Sequence, residues 1–224
     1  MSEPVRIISG GAAQGLVRAL QLPVEGHFGA VGAMKDKLLG GEPCDILILT
    51  EALIRELEAA GHVRAGSARA IGKVETGVAL KERAATRSIA SGVELKQLLE
   101  SASEIYFPDP AKATAGIHFM KVLTALGLAE THASRFRTFP NGATAMGELA
   151  KSGAADAVGC TQVTEILITP GVQLIGLLPA PYSLATTYTA AVPTKATQPD
   201  KARELIERMC AAETASARKL AGFA

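Results

Sequence analysis

The sequence predicts an α/β fold built on a largely parallel sheet, and three observations carry that expectation. Short apolar runs alternate with amphipathic stretches from the N-terminus onward. Glycine and proline sit at the joints between them. Hydrophobic residues make up 48% of the 224 residues, yet aromatics are only 4% and Trp is absent, so Ala, Gly, Val and Leu must build the interior. Such an interior suits closely packed helix and sheet layers. Regular strand–helix alternation implies right-handed crossovers and parallel strands.

Each element follows from local pattern. Val5–Ser9, Val24–Phe28 and Asp45–Leu49 are short apolar runs of strand length, separated by helical stretches at Ala13–Leu20 and Ala33–Leu39. Glu51–Ala60 has apolar residues at helical spacing and stops at Gly61. Lys73–Lys81 reads as a longer strand that carries the chain out of this first set. A second set begins with a helix at Val93–Ser101 and a strand at Glu104–Phe107, closed by the forced turn Pro108-Asp-Pro110. Helices are expected at Thr114–Leu126 and Ala143–Ser152, ending at Gly127 and Gly153, with a buried strand at Ala157–Cys160. Val172–Leu178 and Thr187–Val192 read as strands, the latter returning the chain to the first set. Pro199–Ala221 reads as one closing helix opened by a Pro-Asp pair.

Composition narrows the function. Lys and Arg number 23 against 22 Asp and Glu, with no basic block, so there is no electrostatic footprint for nucleic acid. No apolar run approaches the length of a membrane span. Cys44, Cys160 and Cys210 are odd in number and widely spaced, against a disulfide framework. The four histidines, His27, His62, His118 and His132, show no metal-ligand spacing, so no metal is expected. Phosphate-loop, dinucleotide and nucleophile-elbow motifs are missing, and no cofactor is expected. Met1-Ser-Glu-Pro leads directly into the first strand without a secretory pattern. The expectation is a cytoplasmic protein if Met1 is the native start and a periplasmic one if a signal peptide was removed.

One segment speaks to chemistry. Phe28 to Thr50 runs from a Gly- and Ala-rich opening into a short helix, through the turn Gly40-Gly41-Glu42-Pro43, to an apolar strand ending on a hydroxyl. Small residues before a helix leave its first N–H groups uncovered, and with the helix dipole those groups attract anions. Gly10-Gly11-Ala12 after the first strand reads as another anion-facing helix start.

The same segment resembles the molybdate-binding proteins, a type II solute-binding family that serves oxyanion transporters. Further segments match in order: Val5 to Ala13, Asp109-Pro-Ala-Lys-Ala-Thr-Ala-Gly116, Asn141-Gly-Ala-Thr144, Gly159-Cys-Thr-Gln-Val-Thr-Glu165, Pro170-Gly-Val172 and Ala221-Gly-Phe223. The resemblance implies a two-lobed periplasmic-binding-protein-like fold, each lobe a mixed, mostly parallel sheet flanked by helices. Residues 1–76 and 186–224 would form one lobe and 77–185 the other, with the ligand cleft between them and hinge closure around it. It also implies a monomer, and a membrane transporter as partner if the protein is exported.

In that family two serine hydroxyls, a tyrosine hydroxyl and backbone N–H groups hold the oxyanion. The resemblance places the serines at Ala12 and Val31, the tyrosine at Gln162, and backbone-only positions at Ala115 and Gly142. All three hydroxyls are missing, while the small residues that admit backbone approach remain. The implied ligand-binding set is Ser9, Gly10, Gly11, Ala12, Ala30, Val31, Gly32, Thr50, Thr114, Ala115, Gly116, Asn141, Gly142, Thr161 and Gln162, with Thr144 nearby. These are donors suited to carboxylates, although Thr114, Asn141 and Thr144 each serve equally well as helix N-caps. Lys35 and Lys112 read as solvated lysines, Tyr188 as packed in a strand, and Tyr182 as a residue able to close over the cleft.

The leading expectation is a binding protein for a small anion, more a carboxylate than an oxyanion. The alternative is an isomerase of a small polycarboxylate, resembling the aconitate isomerases, with His118 and then Glu165 as base candidates. An intracellular ligand sensor is a third reading. A tetrahedral dianion would lose three donors worth about 1.5–3 kcal/mol each. Molybdate and tungstate are therefore expected to bind poorly, and sub-micromolar molybdate affinity by calorimetry would contradict this.

Overall fold

A computed structural model describes residues 3–85 and 87–224. Met1, Ser2 and Thr86 lie outside the described residues, and with Met1 the start on which the localisation expectation turned. In chain order the strands are β1 (Val5–Gly10), β2 (Val24–Gly29), β3 (Ile46–Thr50), β4 (Arg69–Lys81), β5 (Ile105–Pro108), β6 (Phe136–Phe139), β7 (Val158–Gln162), β8 (Val172–Leu177) and β9 (Ala185–Ala191). The helices are α1 (Gln14–Ala19), α2 (Val31–Leu39), α3 (Glu51–Ala59), α4 (Gly92–Ser101), α5 (Thr114–Ala125), α6 (Gly142–Lys151), α7 (Val163–Leu167), α8 (Pro199–Cys210) and α9 (Ala215–Leu220). The chain divides into two compact units, one running up to Val74 and resuming over Thr186–Ala224, the other Glu75–Ala185.

In the first unit the sheet order is β2-β1-β3-β9. The first three strands are parallel and β9 runs antiparallel to β3. Register brings Gly10 beside Gly29 and Thr50 opposite Tyr188, so the carboxyl ends of β1, β2 and β3 share one edge. Ile46 to Leu49 are fully buried, as expected of a central strand covered on both faces. Ile8, Leu16, Ile54, Val74, Ile206 and Phe223 belong to the single core around it.

In the second unit β5 and β7 are parallel, as are β5 and β6, and β4 runs antiparallel to both β7 and β8. Side chains alternate across the sheet. One face presents Val78, Leu80, Val158 and Cys160 to Leu95 and Leu99 of α4 and to Phe119 and Leu123 of α5. The other presents Ala79 to Ala145, Met146 and Leu149 of α6 and Ile166 of α7. Successive residues of β7 therefore face different helices.

Four elements depart from expectation, the short helix α7 among them, which local pattern does not mark. The closing helix is broken: α8 ends at Cys210, Ala211 is extended, and α9 starts at Ala215. The Thr214 hydroxyl lies within hydrogen-bond reach of the Arg208, Met209 and Ala211 carbonyls and can donate to one of them, and Arg218 donates to Met209 and Ala211, so the end of α8 is capped by side chains that follow it. β6 is a four-residue, half-exposed edge strand with too little apolar alternation to stand out. β7 continues past Cys160 through Thr161 and Gln162, which are polar yet buried.

Asp45 ties the first unit together from the foot of β3. Its carboxylate accepts from the backbone N–H of Arg6, Thr197 and Gln198 and from the Thr197 hydroxyl. Burial pushes its pKa up, but these hydrogen bonds prevail and hold it below the ordinary 3.8. The ionised form is the one the fold prefers. Its stabilisation is thus complete above about 3.8 and lost as pH falls through the lower native value. Asp45→Ala is expected to cost about 3 kcal/mol or more in urea unfolding at neutral pH, from charge-assisted bonds worth about 1.5–3 kcal/mol each. The gap from wild type should narrow at the acid end.

Candidate functional site

Each unit carries a row of helix starts along the carboxyl edge of its parallel strands, the position where open α/β sheets place ligands. In the first unit the chain leaves β1 through a turn at Gly11–Ala13 whose cap, Gly10, has no side chain to offer. It leaves β2 into α2, where Ala30 is the cap and no side chain claims the first N–H groups. The start of α3 differs, because the Thr50 hydroxyl accepts from Leu53 N–H at 3.4 Å. Ser9 is buried and donates its hydroxyl to the Gly10 carbonyl at 2.8 Å. Val31 and Tyr188 pack closely over Gly10. The edge thus offers backbone donors at Gly11–Ala13 and Val31–Ala33, with apolar side chains around them.

In the second unit the sheet separates the expected residues into two groups. On the α6 face, Asn141 caps its own helix: its Oδ1 accepts from Thr144 N–H at 2.8 Å and from the Thr144 hydroxyl at 3.0 Å. The Thr161 hydroxyl donates to Glu165 at 2.7 Å. The backbone N–H groups of Ala143, Gly142 and Gln162 also favour the ionised form of Glu165. A Cβ on Gly142 would lie 2.0 Å from both the Glu165 carboxylate and the Thr161 hydroxyl, so only glycine admits this contact. The protein supplies its own carboxyl group to the start of α6.

The α5 face is different. Ala113 caps α5 without a side-chain bond, leaving the N–H groups at Thr114–Gly116 uncapped. Gly116 lies so close to β5 that a Cβ would meet the Pro108 carbonyl oxygen at 2.2 Å. Gln162, the last residue of β7, is 2% exposed, and neither its Nε2 nor its Oε1 has a hydrogen-bond partner among the described residues. Thr76 pairs with Gln162 across β4 and β7, which puts both side chains on one face. Its hydroxyl is buried and unpartnered as well, and so is that of Thr164 at the start of α7.

Sequence reasoning missed Thr76 and Thr164. The signal for Thr76 lies in strand pairing, which no local pattern reports. The remaining candidates are engaged elsewhere. Lys35 pairs with Glu56 at 2.6 Å on the helix surface. Lys112 is exposed on the loop after β5 and donates its backbone N–H to Asp109. Tyr188 is buried in β9. Tyr182 does not stand free to close over anything: its ring packs on Gly92 and its carbonyl accepts from His118 Nε2 at 2.7 Å. That bond leaves His118 Nδ1 as the basic nitrogen of the neutral ring. Glu165 is spent as the α6 cap, which speaks against it as a base. Among the described residues no group of His, Cys, Asp and Glu could hold a metal ion, and no helix is long and apolar enough to cross a membrane.

Residues 15–224 match the family model for bacterial extracellular solute-binding proteins. The chain belongs to that family. The resemblance read from the helix starts and their glycines is therefore upheld, and so is the α/β solute-binding fold. Among solved structures, this solute-binding protein is similar to the periplasmic molybdate-binding protein of Azotobacter vinelandii, with a TM-score of 0.81 and 18% identity covering 98% of each chain. It is also similar to the sulfate-binding protein SubI of Mycobacterium tuberculosis, with a TM-score of 0.74 and 14% identity over 98% of this chain and 85% of that one. Among curated proteins it is 26% identical to an aconitate isomerase from Pseudomonas sp over 186 residues, 83% of this chain and 69% of that protein.

The buried carboxyl of this solute-binding protein has a pH signature. Burial pushes Glu165 above its ordinary 4.5, against the hydrogen bonds from Thr161 and from the backbone of Ala143, Gly142 and Gln162. An acid whose pKa is raised on folding favours the native state below its unfolded value, and that advantage fades as pH rises through the native one. Glu165→Gln removes the titration. The variant's melting temperature is expected to gain on the wild type's as pH rises above about 4.5. Parallel curves would show that the carboxyl does not titrate in that range.

Proposed function

We propose that this solute-binding protein binds a small carboxylate anion. The observation that carries the reading is Gln162: a buried amide with no partner, on the face covered by α5, whose uncapped start lies at the same carboxyl edge. Helix N–H groups hold anionic oxygen, and the amide orients the group attached to it. The missing family hydroxyls at Ala12, Val31 and Gln162 favour a planar carboxylate over a tetrahedral oxyanion. The family's extracellular description favours the exported alternative over the cytoplasmic one, with delivery to a membrane transporter as the role.

A second reading is isomerisation of a small polycarboxylate, favoured by the likeness to the aconitate isomerase over most of the chain. It needs a base near the substrate carbon and donors on the flanking carboxylates. His118, with Nδ1 available, is the candidate base.

Thermal-shift screening of oxyanions and of di- and tricarboxylates tests the first reading. A bound acid at a hundred times its Kd is expected to stabilise by about 2.7 kcal/mol. Gln162→Ala should weaken that binding by about 1–3 kcal/mol. Stabilisation by sulfate or molybdate alone would refute the carboxylate assignment. Incubation of cis- and trans-aconitate in D₂O, followed by NMR, separates the two readings: label incorporation lost in His118→Ala identifies the enzyme and its base.

A further inference from the structure

We infer that the ligand carries its own hydrogen-bond donor beside a carboxylate, and that it is a hydroxycarboxylic acid; this rests on the carboxylate reading above. The argument is an inventory of the α5-facing group in the second unit. The uncapped start of α5 offers N–H donors only. The hydroxyl of Thr76, buried and unpartnered, can donate or accept. Gln162 adds two N–H donors and one oxygen that only accepts, and the whole amide is 2% exposed. Exchanging its O and N ends changes nothing, since either orientation presents one obligate acceptor.

An ionised oxyanion, or a carboxylate with no other polar group, brings acceptors alone. It would match the N–H donors and bring no donor of its own to the Gln162 oxygen. A hydroxyl adjacent to the carboxylate answers that oxygen while the carboxylate takes the N–H groups. A site built to hydrogen-bond a hydroxyl rejects the analogue that lacks it, because its polar groups are then left unpaired.

The test compares matched acids by calorimetry on the full chain: succinate, malate and aspartate, and tricarballylate against citrate. In at least one series the hydroxylated acid is expected to bind at least about tenfold tighter than its deoxy partner. Gln162→Leu should weaken the hydroxylated acid more than its deoxy partner and so reduce that ratio to about one. The same variant should melt no lower than wild type without ligand, because an apolar isostere replaces an amide that has no partner. A lower melting temperature would mean that Gln162 is structural, and would overturn the inference. So would equal affinity for deoxy and hydroxylated acids, a ratio that survives in Gln162→Leu, or tightest binding of aspartate, which would make the donor an amine. If none of the acids binds while sulfate or molybdate does, the carboxylate reading falls and takes this inference with it. Binding of the deoxy acids alone overturns only the inference.

Discussion

The Glu165 carboxylate decides what the second unit has left to offer. It is 5% exposed, accepts from the Thr161 hydroxyl, and closes off the backbone N–H groups at the start of α6. A helix start facing a cleft is an anion site by default. Here one such start is filled from within and its neighbour, α5, is not. The same contact anchors the end of β7, which fixes the backbone that presents Gln162. Without that carboxyl group the start of α6 would stand as open as that of α5, and the end of β7 would lose the Thr161 hydrogen bond.

Selectivity in such a site depends on matching donors to acceptors more than on total charge. The candidate groups are neutral: backbone N–H, hydroxyl and amide. Neutral donors bind anions without a counter-charge, so the lost hydration is offset only by hydrogen bonds of good geometry. A ligand that mismatches one buried acceptor therefore loses much of the available affinity.

Much of this was legible in the sequence. The strands of the first unit are short apolar runs set between glycines, and local pattern suffices for them. The break between α8 and α9 was hidden because Ala211, Ala212 and Ala215 keep helical propensity high across it, while the cause lies in Thr214 and Arg218 reaching back. The candidate site was legible as a set of positions, but its division by the sheet was not used. Thr161 and Gln162 are neighbours in sequence, and the two-residue period of a strand sends them to opposite faces. Thr76 stayed invisible because cross-strand register is a long-range property.

The three cysteines, all free, have a practical corollary in thiol chemistry. Cys44 lies in the core of the first unit with its thiol pushed up to about 12 by burial. Cys160 lies in the core of the second, fully buried and pushed well above its ordinary value. Cys210 is only half-buried, and Arg218 and Arg69 partly counter its burial. Alkylation of the native protein should therefore reach Cys210 first and the other two only through opening of the fold. Because each protected thiol belongs to a different core, the order in which a mass label appears on them reports which unit breathes first. The chain thus carries a reporter for each half without any engineered dye.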